Sequence, residues 1–233
     1  MEGDARYRRE PIGTHPRLDS PAYASTAKRA PRHAPVRIGQ SLSEITGPRP
    51  CESVAPGEAD LTRWDGGAAM GERIIVAGCV LDEDGRGVPR TLIEIWQANA
   101  AGRYRHDNDR HDAPLDPHFS GVGRIMSEAN GAYRFMTIKP GAYPWGNHHN
   151  AWRPQHIHLS VFGPAFATRL ITQMYFPGDP LLALDPIFNS VPDAAARDRL
   201  VAAFDIELTE PGRALGYRFD IVLRGRAATP AVN

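Results

Sequence analysis

The sequence predicts an all-β fold: an antiparallel β-sandwich with long loops, one or two short helices and an extended proline-rich N-terminal arm. Short segments of apolar or alternating side chains recur along the chain, separated by loops rich in Gly, Pro, Asp and Asn. Asp84-Gly85 and Asn130-Gly131 are dipeptides typical of tight turns between strands. Only residues 190–204 have a convincing helical pattern, so little of the chain is expected to be helical.

Two regions are expected along the chain. Residues 1–70 hold prolines at positions 11, 16, 21, 31, 35, 48, 50 and 56 and show weak hydrophobic periodicity. Such a segment cannot build its own core, so it is either disordered or an arm that wraps a partner, and the arm is slightly favoured. Residues 71–233 are expected to form the β-sandwich domain, which would hold any catalytic site. The side chains spaced like anchors of the arm are Tyr7, Ile12, Tyr23, Ile38, Leu42 and Ile45.

The charge and cysteine content exclude several classes of protein. The chain has 27 basic and 27 acidic residues with no dominant basic patch, so a nucleic-acid partner is not expected. Cys51 and Cys79 have no spacing that indicates a disulfide framework or a metal knuckle. The first residues lack the apolar core of a signal peptide, and the longest apolar run is too short to span a bilayer. We therefore expect a cytoplasmic protein without a membrane span.

Strands are expected over residues 72–81, 91–100, 156–162, 169–176 and 216–225. The turn at Asp84-Gly85 is expected to join the first two strands as a hairpin, and Asn130-Gly131 is expected to close a second hairpin within residues 123–138. Two long loops, 101–123 and 139–154, flank the strand that begins at His156. Loops of this length on a β-scaffold are where a functional site is expected.

Two helical segments are expected after the strand 169–176. Asp179-Pro180 has the pattern of an N-cap followed by proline at the first position of a short helical turn. In residues 190–204, Ser190 and Asp193 have capping-box spacing. The apolar face of that helix is expected to consist of Ala195, Leu200 and Phe204.

The triplet His156-Ile157-His158 is the strongest candidate for a functional site. In a strand its two histidines point to the same face, with α-carbons about 6.5–7 Å apart, so both imidazoles can reach one metal ion. The same pattern also suits two partly exposed histidines without a ligand. Imidazole binds zinc, copper, iron and nickel alike, so this pair does not choose the metal.

The tyrosine in each long loop indicates which metal ion the site would bind. Tyr104 and Tyr143 lie in polar, glycine-containing sequences, where a tyrosine is ordinarily a surface aromatic or a hydrogen-bonding corner. A phenolate, however, is a hard anionic donor whose charge suits a trivalent cation, and tyrosinate ligates iron in other proteins. Together with the two histidines these tyrosines favour Fe(III).

Six stretches give the chain a recognisable resemblance. LIEIWQANAAGRYRH, GVGR, IKPGAYPW, WRPQHIH, LITQMYFPGDP and YRFDIVLRG resemble the intradiol ring-cleaving dioxygenases, and the resemblance covers most of the chain. More narrowly, the chain is similar to the iron-bearing chain of a member built from two homologous chains. RYRRE and SLSEITGPRP in the arm are part of that similarity.

The resemblance implies one non-haem Fe(III) per chain, held by Tyr104, Tyr143, His156 and His158, with a solvent hydroxide as the fifth ligand. Tyr143 corresponds to the tyrosine that leaves the metal when a catechol binds, whereas Tyr104 corresponds to the one that stays. The implied reaction is cleavage of a small catecholic ring by O₂ to a cis,cis-muconate, in aromatic catabolism. The implied partner is a homologous α chain in a large αβ oligomer.

The resemblance also implies roles for residues around the metal. Arg153 corresponds to a residue beside the bound substrate, where a guanidinium would stabilise negative charge on the ring. Gln173 is expected near the same pocket. Arg153 could instead be a surface arginine stacked on Trp152, and Gln173 a polar residue at the core edge. The residues expected to form the substrate pocket are Trp145, Ile187 and Trp96.

Three other functions fit the sequence less well. A catechol or hydroxyquinol 1,2-dioxygenase would carry a helical N-terminal dimerisation region, for which this arm is too rich in proline. A non-catalytic β-sandwich subunit would lack the four candidate ligands. A zinc hydrolase needs a third His or carboxylate at suitable spacing. The remaining residues, expected to be loop residues without a metal-binding role, are His106, His111, His118, His148, His149, Asp107, Asp109 and Asp112.

Overall fold

A computed structural model of the protein describes residues 10–34, 36, 54–55, 57–146, 151–163 and 169–232. The helices are α1 (Thr26–Arg29) and α2 (Ala194–Asp198), and 3-10 helices cover Pro180–Leu184 and Phe188–Ser190. The strands in chain order are β1 (Arg63–Trp64), β2 (Gly67–Ala68), β3 (Arg73–Leu81), β4 (Leu92–Trp96), β5 (Val122–Met126), β6 (Ala132–Ile138), β7 (Tyr143–Trp145), β8 (Ala151–Arg153), β9 (His156–Phe162), β10 (Arg169–Tyr175), β11 (Ala203–Phe204), β12 (Leu215–Arg218) and β13 (Ile221–Val222). Several residues singled out in the sequence lie outside the described part: Tyr7, Ile38, Leu42, Ile45, Cys51, His148 and His149.

Two sheets make up the body of the fold. The first has the order β10-β9-β4-β5 and is antiparallel throughout. In the second, β3 pairs antiparallel with β6 on one side and parallel with β12 and β13 on the other, and β11 extends the sheet beyond β12. The β7-β8 and β1-β2 pairs form separate two-stranded ribbons. The predicted all-β sandwich is confirmed.

The main core lies between the sheets and follows from the alternation of side chains in the strands. On β9, Ile157, Leu159 and Val161 are fully buried and face inward, where they join apolar side chains of β3, β4 and β6. His156 and His158 therefore project from the opposite face of β9. A second apolar cluster, which includes Tyr175 and Ile187, lies near that face.

Both predicted turns form, but neither joins two strands of one sheet. At the first turn Asp82 N–H donates to Arg86 O at 2.9 Å, and Gly85 has φ +77°. At the second turn Glu128 N–H donates to Ala132 O at 2.8 Å. The strands on either side then belong to different sheets, so the two predicted hairpins are wrong. A turn sequence reverses the chain, whereas the partner of each strand depends on which faces it must bury.

The predicted helix over residues 190–204 is much shorter in the structure. It begins after Asp193, whose carboxylate accepts from Ala196 N–H at 3.1 Å, and it ends at Asp198. The chain then pairs with Tyr175, whose N–H donates to Leu200 O and whose carbonyl accepts from Ala202 N–H. These sheet-type bonds replace the next helical turn. Three expectations are therefore wrong: Ser190 ends a 3-10 helix, Ala196 rather than Ala195 is buried, and Phe204 is half exposed on β11.

The described part of the N-terminal region lies against the rest of the chain. Leu61 is buried in the main core. Glu10 accepts from Gly225 N–H, and His15 Nδ1 accepts from Ala231 N–H. A boundary at residue 70 and a partner-wrapping role of the arm stay predictions.

Within the described residues, no helix has the length and apolar character needed to cross a membrane.

Candidate metal centre

The register of the first sheet places the histidines among specific neighbours. His158 lies opposite Trp96 on β4 and opposite Gln173 on β10, while His156 lies opposite Tyr175. Directly opposite residues on neighbouring strands share one face of a sheet, so all five side chains project from the same side. The alternation that buries Ile157 and its neighbours therefore assembles one wall of the site.

The two imidazoles meet through their Nε2 atoms, which are 3.2 Å apart. His156 Nδ1 lies 2.6 Å from Pro154 O, and because a carbonyl only accepts, Nδ1 must carry the proton. The lone pair of His156 is then on Nε2, the arrangement that orients metal-ligating histidines. The Trp96 ring stacks on His158 at 4.9 Å and 7° and holds that imidazole in place.

The two tyrosines reach the same point from the loops. Tyr143, on β7, places its Oη 3.3 Å from His156 Nε2. The Tyr104 ring meets the Tyr143 ring edge to face at a centroid distance of 5.3 Å. Two imidazole nitrogens and a phenolic oxygen thus lie together, with the Tyr104 ring beside them.

A tightly built loop fixes Tyr104. Asn99 Oδ1 accepts from the backbone N–H groups of Ala101 and Arg103, both at 2.9 Å. Gly102 has φ +77°, and a Cβ atom there would lie only 2.1 Å from Ala142 O. Glycine is therefore needed for the close approach of the two loops, which brings Tyr104 next to Tyr143.

Desolvation shifts the pKa of all four of these side chains toward the neutral form. It lowers the pKa of His158 to about 3, and the Arg153 cation acts in the same direction. Burial, followed by Arg153 and His158, holds the pKa of His156 well below its usual range. Burial raises the pKa of Tyr104 well above 10, with Tyr143 as a further cause. For Tyr143, burial raises the pKa against the opposing effect of Arg153. The imidazole lone pairs are thus available to a cation without loss of a proton.

These residues fit a trivalent metal ion. The Tyr104 hydroxyl is buried without a hydrogen-bond partner, as is His158 Nδ1, and an unpaired buried polar atom is costly. No group of three or more His, Cys, Asp or Glu residues that could hold a metal ion occurs in the described part of the chain. Two imidazoles with two phenols differ from the usual zinc set and resemble tyrosinate sites of Fe(III).

Arg153 lies beside this cluster and is 2% exposed. It is opposite Tyr143 in the β7-β8 ribbon, and its Cζ is 5.4 Å from the centre of the Trp145 ring. Trp152 points away and is 47% exposed. The alternative of a surface arginine stacked on Trp152 is therefore wrong.

Gln173 and the expected pocket residues are also nearby. Gln173 Oε1 accepts from Arg153 Nη2 at 2.5 Å and from Tyr175 Oη at 2.9 Å, which assigns the amide orientation. Its Nε2 is buried without a partner, so a donor is left for a ligand. Ile187 is buried in the second apolar cluster, against which Trp145 packs.

The described loop histidines do not join the cluster. His106 Nδ1 accepts from Asn108 N–H within its own loop. His111 contacts the exposed Trp152 ring at 6.1 Å, and His118 lies over Gly67. The prediction that these three are loop residues agrees with their positions.

The sequence did not predict two residues that contact the Arg153 side chain, Asp185 and Tyr175. Asp185 Oδ1 accepts from Arg153 Nε at 2.9 Å, and Arg153 Nη2 lies 3.2 Å from Tyr175 Oη. Tyr175 could have been found, because it is two residues after Gln173 on a strand and so shares its face. Asp185 follows a 3-10 helix in irregular chain, and no periodic pattern marks it.

Comparisons with known proteins identify the family of the chain. The dioxygenase family model matches residues 45–225, and the model for the N-terminal part of the protocatechuate 3,4-dioxygenase beta subunit matches residues 7–41. The chain is 58% identical over 220 residues to the protocatechuate 3,4-dioxygenase beta chain of Burkholderia cepacia, covering 93% of each chain. It is 33% identical over 160 residues to the alpha chain from the same organism, covering 67% of this chain and 75% of that one.

A solved structure shares the fold as well. It is the dioxygenase domain of a dioxygenase carbohydrate-binding protein fusion from Streptomyces sp. SirexAA-E, with 26% identity and a TM-score of 0.53. The match covers 77% of this chain and 94% of that domain. With most of its length matched by the family model and a 58% identical relative, the chain belongs to the intradiol ring-cleaving dioxygenase family.

Proposed function

We propose that this chain is the iron-bearing beta chain of a protocatechuate 3,4-dioxygenase. It cleaves the ring of protocatechuate (3,4-dihydroxybenzoate) with O₂ between the two hydroxyl-bearing carbons and yields 3-carboxy-cis,cis-muconate, a step of the β-ketoadipate pathway of aromatic catabolism. The observation that carries the proposal is the convergence of two tyrosines and two histidines on one point, in a chain 58% identical to such a beta chain.

Enzymes of this family depend on iron. In this chain one non-haem Fe(III) is held by Tyr104, Tyr143, His156 and His158. The unpaired Tyr104 hydroxyl and the neutral imidazoles support this assignment. When bound, the ion supplies Lewis acidity that binds both hydroxyl oxygens of a catechol and activates its ring toward O₂.

Tyr143 and Arg153 act on protons and charge. Once Tyr143 Oη is a phenolate it is a base within the site, and it takes a proton from a substrate hydroxyl. The Arg153 guanidinium cannot lose its proton at working pH and stabilises negative charge that develops on the ring. Its burial strengthens that effect, because little water screens it.

The pocket residues orient the ring. Trp96 stacks on His158, and Trp145 lies next to the Arg153 guanidinium and packs against the apolar cluster that contains Ile187, so apolar surfaces border the proposed metal site. The Gln173 amide offers its Nε2 donor to the bound ligand. These groups would exclude water from the site and restrict the orientation of a bound aromatic ring.

The partner is a homologous alpha chain, and the two chains form an αβ assembly. The similarity to both chains of the Burkholderia enzyme supports this pairing, since each matches the same fold. The four candidate ligands distinguish this chain from a subunit without a metal. A cytoplasmic location stays a prediction from the sequence.

The test is the visible absorption spectrum of the chain, co-purified with its homologous partner, before and after anaerobic protocatechuate. A red-brown tyrosinate-to-Fe(III) band that moves to longer wavelength with substrate is the expected result. O₂ uptake with protocatechuate, catechol and hydroxyquinol in parallel then identifies the substrate, and protocatechuate should react fastest.

Two outcomes would overturn the proposal. One is a colourless protein that contains stoichiometric zinc. The other is a protein that stays colourless and does not consume O₂ after reconstitution with iron in the presence of the partner chain. A preference for catechol or hydroxyquinol would keep the reaction and replace the substrate.

A further inference from the structure

Arg153 and Asp185 form an ion pair buried beside the candidate metal centre. The two side chains are 3% and 0% exposed, whereas every other ion pair of the described residues has at least one side chain 45% or more exposed. Desolvation of two buried charges offsets much of their attraction, so such a pair is weak evidence for a role in stability alone. The reaction described above gives Asp185 no part.

The network around the pair holds one edge of the guanidinium. Arg153 Nε and Nη2 face Asp185 Oδ1 and Oδ2 at 2.9 and 3.2 Å, a two-point contact. Nη2 also donates to Gln173 Oε1 and lies 3.2 Å from Tyr175 Oη. All four contacts use Nε or Nη2, and Nη1 takes no part in the network.

Asp185 is itself held firmly. Its Oδ2 accepts from Phe188 N–H at 3.2 Å and lies 3.1 Å from Tyr175 Oη. Its backbone carbonyl accepts from the N–H and the side-chain amide of Asn189. A carboxylate anchored at this many points cannot follow a side chain that moves, so it sets where the guanidinium lies.

The position that results is beside the reacting groups. The Arg153 Cζ stays over Trp145, and the residue faces Tyr143 across the β7-β8 ribbon. Arginine has a long side chain with several rotatable bonds, so without a fixed partner its guanidinium would sample other rotamers. A displacement of about 1 Å is enough to cost a reaction up to about a hundredfold.

We propose that Asp185 is a positioning residue, which holds the Nε/Nη2 edge of Arg153 so that the rest of the guanidinium faces the substrate ring. Tyr175 supports both partners. The inference rests on the proposed function, because it assigns Arg153 to the same reaction. It adds that the geometry of Arg153 is set by a carboxylate that does not touch the substrate.

The test uses Asp185→Asn in the chain co-purified with its partner, compared with the parent. Asn has the same size but loses the charge and one acceptor. The measurements are iron content, the visible band, the anaerobic dissociation constant for protocatechuate, and the rate at which the anaerobic complex reacts with O₂. Asp205→Asn is the matched control, since it makes the same change in the exposed ion pair with Arg218. It should leave all four measurements within about twofold of the parent.

The expected result is a loss confined to the last measurement. Asp185→Asn should keep the iron, the band and the substrate affinity, while the reaction with O₂ slows about tenfold or more. Asp185→Asn should then be introduced into the Arg153→Lys variant, whose ammonium lacks the planar fork that Asp185 binds. In that background Asp185→Asn should slow the reaction with O₂ little further, because the effects of two residues that act through one another are not additive.

Three results would overturn the inference. The first is an iron-loaded Asp185→Asn protein that reacts with O₂ at the parental rate. The second is an equal slowing in the Arg153→Lys background, which would indicate a general structural effect. The third concerns a substitute variant, used if Asp185→Asn does not yield iron-loaded protein. Tyr175→Phe removes only a hydroxyl that contacts both Arg153 and Asp185, and it should slow the reaction with O₂ about threefold. An unchanged rate in Tyr175→Phe would then overturn the inference.

Failure of the proposed function is distinguishable from failure of this inference. If the parent protein has no iron band and consumes no O₂, the proposed function is contradicted, and with it the role of Asp185. If the parent is active and Asp185→Asn is unaffected, only the positioning role is contradicted.

Discussion

At the scale of single residues, His156 and His158 are held in different ways. The proton on His156 Nδ1 is fixed by Pro154 O, whereas His158 is held by stacking on Trp96 and has an unpaired Nδ1. His156 is buried and His158 is partly buried, and the pKa of each lies below its ordinary value, so neither contributes a favourable charge to folding. This arrangement suits the proposed cation, and a cation bound there would add to the stability of this region.

Loss of His158 should release the metal. We expect His158→Ala to contain little iron, because one imidazole is removed and the remaining cavity admits water. The measurement is iron per chain after purification with the partner. His111→Ala, which changes a loop histidine in contact with Trp152, serves as the control and should retain the parental iron content. Equal iron in His158→Ala and the parent would remove His158 from the ligand set.

Tyr143→Phe separates metal binding from proton transfer. Three of the four proposed ligands remain, so the variant should still bind iron, but it lacks the hydroxyl proposed to take a substrate proton. We expect steady-state turnover of protocatechuate to fall about a hundredfold, the usual contribution of one acid-base group. An unchanged rate in iron-loaded protein would contradict the role of Tyr143.

At the scale of elements, the site depends on how loops approach one another. Tyr104 and Tyr143 are far apart in the chain, and Gly102 allows their loops to touch because a side chain there would collide with Ala142 O. The strand β9 contributes both histidines through simple alternation. The loops therefore need special residues, while the strand needs only its period of two.

Gly102→Ala should disrupt the site more than its backbone strain alone explains. Gly102 and Gly85 have the same φ of +77°, but a Cβ at Gly85 meets nothing within 4 Å. Gly85→Ala should therefore cost only about 1 kcal/mol of unfolding free energy and keep full activity. Gly102→Ala should pay the same strain and also move Tyr104 away from Tyr143, with loss of the visible band. Iron content, the spectrum and urea denaturation of both variants test this, and an unaltered spectrum in Gly102→Ala would contradict it.

At the scale of the whole molecule, side chains join segments that are distant in the sequence. Tyr133, on β6, is fully enclosed and donates its hydroxyl proton to Phe219 O near the C-terminal strands. Burial raises the pKa of Tyr133 well above 10, with the Asp220 carboxylate and Cys79 as further causes. Tyr133 therefore keeps its proton when the chain is folded.

This proton makes folding sensitive to alkaline pH. The unfolded chain releases it near pH 10, whereas the folded chain does not, so the stabilisation is complete below about pH 10 and is lost as the pH rises further. Tyr133→Phe should lower the unfolding free energy at pH 8 by about 1 kcal/mol through loss of the hydrogen bond. Above pH 10 it should also make the decline shallower by about 1.4 kcal/mol per pH unit. Urea denaturation between pH 8 and 11 measures both, and identical slopes would contradict the account. Turnover at pH 8 should be unaffected.

Local patterns predicted several features in advance. The strand limits of β9 and the N-cap at Asp179 follow from alternation and capping residues, and they agree with the structure. The shared face of His156 and His158 needs only the period of a strand. The two tyrosines were singled out by their place in the long loops beside the histidine pair, but their assignment as ligands came from resemblance to a family, since nothing local distinguishes a ligand tyrosine from a surface one.

The amino-acid sequence alone determined the fold class, the reversal of the chain at its turns and the pair of histidines on one face, because each depends on neighbours within a few residues. The tertiary structure decided which strands share a sheet, where the C-terminal helix ends, and that Asp185 binds Arg153 32 residues away. Strand partners depend on which faces the folded chain can bury, and the helix ends where Tyr175 offers its backbone better-placed bonds. The ion pair of Arg153 and Asp185 forms only where two segments distant in the sequence are buried against each other, and no local sequence pattern predicts such a contact.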